Sequence, residues 1–310
     1  STLMRSSAAS DVYKRQADGR PKESMYGMII GCFSNVILDW LFVIVIPWGV
    51  AGAAWATIIG QALNAIYYIF LMFRFKSVKL KKEDFKLDRK IYGKVLSLGI
   101  PSFITQIATV IVIFTMNNVI GAVGVNSKYG TDIPLAVIGI TMKLCLVVTQ
   151  IALGIAIGAQ PIYGFNYGGK QFKRVKETFK LAMISSTLVL VVATVIFQLF
   201  PGEIISLFGR ESALYMEFAV KSVRIYLGAC FVVGMNLVCC IFLQSVGKAV
   251  PSSILSLARQ IVILVPAIAI LGELGGVEGI LWSGPVSDVL ACILSLIMVG
   301  AYWKKIFKKM

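Results

Sequence analysis

The sequence predicts an all-α polytopic membrane protein with eight transmembrane helices, and three observations lead there. Hydrophobic residues make up 58% of the 310-residue chain against 15% charged residues, and mean hydropathy is +0.84. A soluble chain of this length cannot hide so much apolar side chain, because soluble surfaces carry far more charge. Apolar stretches near the ~20 residues needed to cross a bilayer recur eight times along the chain. The segments between them alternate between basic and nearly uncharged.

The apolar stretches lie at about 25–46, 50–73, 95–120, 133–157, 181–200, 225–243, 254–271 and 277–302. If odd-numbered spans run outward, the inner segments carry 21 Lys and Arg residues and the outer segments four, Lys128, Arg210, Lys221 and Arg224. Lysine and arginine excess marks the cytoplasmic side. The expectation is a multi-pass protein of the inner (plasma) membrane, with the chain near Ala17 and the C-terminus both cytoplasmic. The same asymmetry accounts for the net charge of +15 without nucleic acid, for which no reader motif exists in the sequence.

The chain has no histidine, which removes the commonest general base and metal ligand. Its six cysteines lie in apolar runs without zinc-site spacing and read as buried free thiols. No catalytic residues, metal site or cofactor are expected, and the chain does not read as an enzyme.

Residues 1–16 read as a translated sequencing adapter: Ser6 to Gln16 back-translates to a transposon-end library primer. An internal repeat points the same way. Gly49-Val50-Ala51-Gly52-Ala53-Ala54-Trp55 recurs as Gly276-Val277-Glu278-Gly279-Ile280-Leu281-Trp282, each opening an inward span, with polar Gln61 and Asp288 at matched later positions. Spans two and eight therefore match in the same direction, which implies two parallel six-helix halves. On that period, four helices would precede Ala17. The expected organisation is 1–16 adapter, disordered; 17–75 the last two helices of a first lobe; 76–94 a basic cytoplasmic linker; 95–303 a six-helix second lobe; and 304–310 a basic cytoplasmic tail. The linker reads as an interfacial amphipathic helix, with an unstructured basic loop as the alternative.

Ionisable groups inside a span are costly and so draw notice. Asp39 lies in the first span with Asn35 four residues earlier on the same helix face. Counted from the intervening turn, Asp39 is about 12 Å deep and Thr57 on the returning helix about 10 Å. Carboxylate, amide oxygen and hydroxyl at one depth suit a proton relay or a sodium ion, and a structural polar cap is the competing reading. In the second half, Asp288 and Lys143 sit at comparable mid-membrane depth, and a buried Lys143–Asp288 ion pair is expected. Arg259 and Arg224 read as snorkelling residues. Gln106, Asn117, Gln150, Gln160, Met116 and Met142 are candidates for lining a cavity, against plain packing.

Six strings in order across 17–310 resemble the multidrug and toxic compound extrusion (MATE) family: Ala17-Asp18-Gly19-Arg20-Pro21-Lys22; Gly52-Ala53-Ala54-Trp55-Ala56-Thr57; Leu98-Gly99-Ile100-Pro101-Ser102; the stretch from Gly158-Ala159-Gln160-Pro161 to Tyr167-Gly168-Gly169-Lys170; Gln244-Ser245-Val246-Gly247-Lys248-Ala249; and Gly276-Val277-Glu278-Gly279. The resemblance implies helices five to twelve of a twelve-helix exporter. It also implies secondary active efflux of amphipathic organic cations or drugs in exchange for protons or sodium, by a monomer without cofactor. On that scheme Asn35, Asp39 and Thr57 match a first-lobe cation site one by one. The acids that some members carry on helices seven and ten have no counterpart here. As a fragment the chain is expected not to transport. No phosphate-binding loop occurs, so ATP drive is not expected. A lipid-linked precursor flippase of the same superfamily and a non-transporting membrane scaffold are the alternatives.

Overall fold

The computed structural model describes residues 21–72, 89–209 and 212–307. The adapter-like segment 1–16, most of the basic linker and the end of the tail lie outside the described residues. The chain divides into two compact units, Ser1–Asp88 and Arg89–Met310. The described residues are overwhelmingly helical.

In the first unit, α1 (Pro21–Asp39) passes into a π-helical segment, Trp40–Val45, and α2 (Gly49–Met72) returns against it. The reversal is closed by backbone bonds Ile46 N–H to Leu41 O and Trp48 N–H to Phe42 O, both 2.9 Å, and by Phe42 and Trp48 stacked at 5.2 Å. Small residues let the two helices approach. A Cβ on Gly31 would lie 3.0 Å from the Asn64 Cβ, and one on Gly60 3.1 Å from the Asn35 Cβ.

The second unit holds α3 (Arg89–Gly124), α4 (Asp132–Gly168), α5 (Phe172–Leu199), the short α6 (Pro201–Ser206), α7 (Ala213–Tyr226), α8 (Cys230–Ser245) and α9 (Ala249–Leu257). A π-helical segment, Ala258–Leu264, then leads into α10 (Val265–Phe307). Two buried clusters hold the unit together. One gathers Met116, Ile120, Val137, Phe218, Leu227 and Ile280; the other centres on Tyr163, Phe242, Leu255 and Val299. A buried hydroxyl pair, Thr141 and Ser222 at 3.0 Å, ties α4 to α7. Large apolar side chains face outward, among them Phe165 at 79% and Leu199 at 65% exposure. Such an outward apolar surface is what a hydrocarbon solvent stabilises.

Five helices are long and apolar enough to cross a membrane, or six if α7 and α8, bent by 42°, form one span. One of the five, residues 250–303, is a hairpin rather than a single crossing. Gly276 breaks it at φ 61°, ψ −147°, and residues 29 apart in sequence, Arg259 and Asp288, touch across it. With that hairpin as two segments and the shorter apolar helix Ile29–Val45 included, the apolar helical segments follow the eight stretches of the sequence in order.

Three boundaries differ from the sequence reading. α3 begins at Arg89 and α4 runs on to Gly168, because helix continues past the apolar window wherever its polar residues can reach water. The segment expected at 225–243 takes in α7 as well, whose Lys221 and Arg224 concealed it.

The internal repeat is a glycine-dependent hairpin. Gly49 and Gly276 have φ of 57° and 61°, a region that L side chains avoid. Three residues on, a Cβ at Gly52 would lie 2.6 Å from Phe42 O, and one at Gly279 1.9 Å from Leu271 O. In each copy the glycine packs directly on the backbone of the preceding helix, and the tryptophans that follow, Trp55 and Trp282, are 55% and 54% exposed. Gly279→Ala is expected to lower stability by about 2 kcal/mol or more through forced backbone displacement. A thermal midpoint in detergent checks this, and an unchanged midpoint would contradict the packing described.

Candidate functional site

In the first unit, the structure brings Asn35 and Thr57 together: Asn35 Nδ2 donates to Thr57 Oγ1 at 3.4 Å, and Thr57 Oγ1 donates to Ala53 O at 3.0 Å. Asp39 sits at the junction of α1 with the π-helical segment. Its Oδ1 is buried and has no hydrogen-bond partner among the described residues. A solvent-shielded carboxylate oxygen without a donor is expensive and calls for an explanation, and π-helical insertions occur often at functional positions. Neither Asn35 nor Thr57 donates to that oxygen. Asn64 Oδ1 is a second buried oxygen in this unit with no partner among the described residues, which sequence reasoning missed. The signal for it was Gly31 on the facing helix, whose missing side chain leaves Asn64 its place.

In the second unit, Asp288 does not pair with Lys143. Its Oδ1 accepts from Arg259 Nε at 3.0 Å and from Arg259 Nη2 at 2.7 Å, while Lys143 is exposed. The reason is the reversal at Gly276. Arg259 lies 17 residues before that turn and Asp288 12 after it. The axial offset of about 7.5 Å is one that an extended arginine bridges. The pair is well shielded, with side-chain exposures of 26% for Arg259 and 7% for Asp288. Arg259 is thus an ion-pair partner and not a snorkelling residue.

A cavity of about 290 Å³ opens beside this pair. Met142 and Gln150, two of the expected lining residues, are on its wall together with Thr109, Arg259, Gln260 and Leu264. Met116 is not a lining residue: at 1% exposure it is part of the core, as its thioether fills space on the inward face of α3. Gln106 and Asn117 are exposed and Gln160 is half-buried, and none of the three lines this cavity.

At the opposite end of the α10 hairpin, Lys128 bonds Glu217 at 2.6 Å and Lys221 bonds Glu278 at 2.6 Å. Two of the four basic residues assigned to the outer side are therefore neutralised locally. Glu217, which also accepts from the Tyr129 hydroxyl, holds the Lys128 ammonium above the usual lysine range. The six cysteines are free, and all except exposed Cys32 and half-buried Cys145 are buried.

The MatE family model matches residues 101–270 of this chain. Among curated relatives, the multidrug export protein MepA of Staphylococcus haemolyticus is 22% identical over 285 residues, covering 92% of this chain and 61% of the relative. MepA of Staphylococcus aureus strain RF122 is 23% identical over the same shares. The chain thus spans about 61% of the length of the curated relatives it matches. Among solved structures, a MATE crystal structure in the straight conformation superimposes with a TM-score of 0.79 at 20% identity, covering 92% of this chain and 63% of that one. An inward-facing multidrug resistance MATE family transporter of the MOP superfamily gives 0.77 at 18% identity, covering 99% and 69%. The helices, their order and the family match agree: this chain belongs to the MatE family, whose members are membrane transporters and not enzymes.

Proposed function

We propose that the product of the gene that carries this sequence performs secondary active multidrug efflux, in which amphipathic organic cations leave the cell as protons or sodium ions enter. The observation that carries the reading is the buried, unpartnered Asp39 Oδ1, one helical turn from Asn35 and its bond to Thr57. A carboxylate so placed is stabilised either by taking a proton or by taking a cation with oxygen ligands. Either event changes the charge of the site, which is what a coupling residue must do. The names of the relatives support the drug-export part: MepA is a multidrug export protein. The sequence's basic inner segments support a protein of the plasma membrane with Ala17 and the C-terminus cytoplasmic.

Ethidium retention in cells expressing the gene that carries this sequence tests the proposal. Efflux that an uncoupler or sodium removal collapses is expected. Efflux indifferent to both, or dependent on ATP alone, would contradict it, and no efflux at all would favour the flippase or scaffold reading.

A further inference from the structure

We propose that Met235, Cys239 and Cys292 form a three-sulfur site between α8 and α10 for a soft monovalent metal ion, Cu(I) or Ag(I). The inference stands on the second unit alone and does not depend on the efflux reading.

Sulfur is concentrated at this one interface. α8 carries Cys230, Met235, Cys239 and Cys240, and Cys292 meets it from α10, with its Sγ 3.9 Å from the Met235 Sδ. Met235 and Cys239 are one helical turn apart, so they share a face of α8, and Cys239 is within electrostatic reach of Cys292. Cys240 turns elsewhere, to Asn236 at 3.4 Å and Ser256 at 3.8 Å. Cys239 and Cys292 are buried, and Met235 is half-buried.

Three metal–sulfur bonds of about 2.3 Å lying in one plane set the sulfur atoms about 4 Å apart. Cys292 and Met235 already stand at that spacing. Two thiols and a thioether are soft donors, which select Cu(I) and its heavier congener Ag(I) over sodium, magnesium or calcium. Structural zinc takes four ligands, and among the described residues no three His, Cys, Asp or Glu side chains gather to hold a metal. A thiol releases its proton on binding a metal. Cu(I) with one thiolate, one thiol and a thioether carries no net charge, so the loaded site suits an apolar interior. Met235 stands at the entry, because it is the least buried of the three and its flexible side chain can hand the ion inward to the cysteines.

The test is a Cu(I) titration of the full chain, reduced and held under argon in phosphatidylcholine nanodiscs, in competition with the chelator bathocuproine disulfonate. One tightly held Cu(I) per chain is expected, and copper X-ray absorption should show three sulfur neighbours at about 2.3 Å. Cys239→Ala and Cys292→Ala should each weaken binding by roughly a hundredfold or more, since losing even an outer-shell partner of a metal site costs about 10–100-fold. Met235→Leu conserves volume and so keeps the fold, which makes it decisive if a cysteine variant does not insert. It should weaken binding and reduce the sulfur neighbours from three to two. Cys32→Ser and the double variant Cys145→Ser/Cys230→Ser should bind as the parent does. Binding untouched by Met235→Leu and by both alanine variants would overturn the proposal. So would nitrogen or oxygen neighbours around the copper, or a loss of binding in Cys145→Ser/Cys230→Ser, which would move the ion to another sulfur pair.

Discussion

Asp39→Asn, introduced into the gene that carries this sequence, should abolish uncoupler-sensitive or sodium-dependent efflux while membrane expression stays at the unsubstituted level. The amide has nearly the shape of the carboxylate and retains an oxygen acceptor, so packing around the π-helical segment Trp40–Val45 is disturbed little. What it loses is the ability to alternate between charged and neutral forms. A buried carboxylate oxygen with no protein donor contributes little to folding, because no bond is lost when it goes. Asparagine should therefore leave the thermal midpoint nearly unchanged while transport falls to background. Asn35→Ala and Thr57→Ala should have smaller effects, since each supplies a neutral ligand and their mutual contact is long at 3.4 Å. Drug resistance retained in Asp39→Asn cells would remove Asp39 from the mechanism. A protein lost from the membrane would assign it a structural role instead.

The second large effect is expected at Arg259–Asp288. Asp288→Ala strands a shielded guanidinium, and Arg259→Ala strands a carboxylate that is 7% exposed. Breaking a buried pair from one side costs about 3–5 kcal/mol, whereas replacing both partners with neutral groups of similar volume is often close to neutral. Each single variant should thus melt far below the parent in detergent, with Arg259→Met/Asp288→Met near the parent value. Lys143→Ala should leave the midpoint where it was. A Lys143→Ala loss as large as that of Asp288→Ala would restore the pairing expected from sequence and contradict the hydrogen bonds of 3.0 and 2.7 Å that Arg259 makes.

That pairing marks where sequence reasoning stopped. Depth along a span follows from counting residues at a fixed rise, and counting set Thr57 level with Asp39, whereas Thr57 bonds Asn35 one turn away. Counting does not give the azimuth of a helix or the partner it faces. Lys143 and Asp288 share a depth, but the tight hairpin at Gly276 places Arg259 against Asp288 first. Met116 illustrates the same limit, because an apolar residue in an all-apolar span carries no sign of which side faces the core. α7 was hidden for another reason: a helix with Lys221 and Arg224 fails an apolarity criterion even where Phe218, Ala219 and Val223 are wholly buried. The repeated glycine string was the most informative local signal. Its spacing encodes a positive φ at one position and a backbone contact three residues later, and both recur. The matched polar positions have diverged, Gln61 being exposed and Asp288 buried, so the repeat conveys architecture and not chemistry.

In the proposed mechanism, inward movement of a cation through Asp39 drives drug outward. The most direct measurement is ethidium transport in proteoliposomes made from the product of the gene that carries this sequence, with proton or sodium gradients imposed in turn. Transport is expected to follow one of these gradients, to reverse when that gradient is reversed, and to be absent in Asp39→Asn. Transport without any cation gradient, or gradient-driven transport that persists in Asp39→Asn, would contradict it.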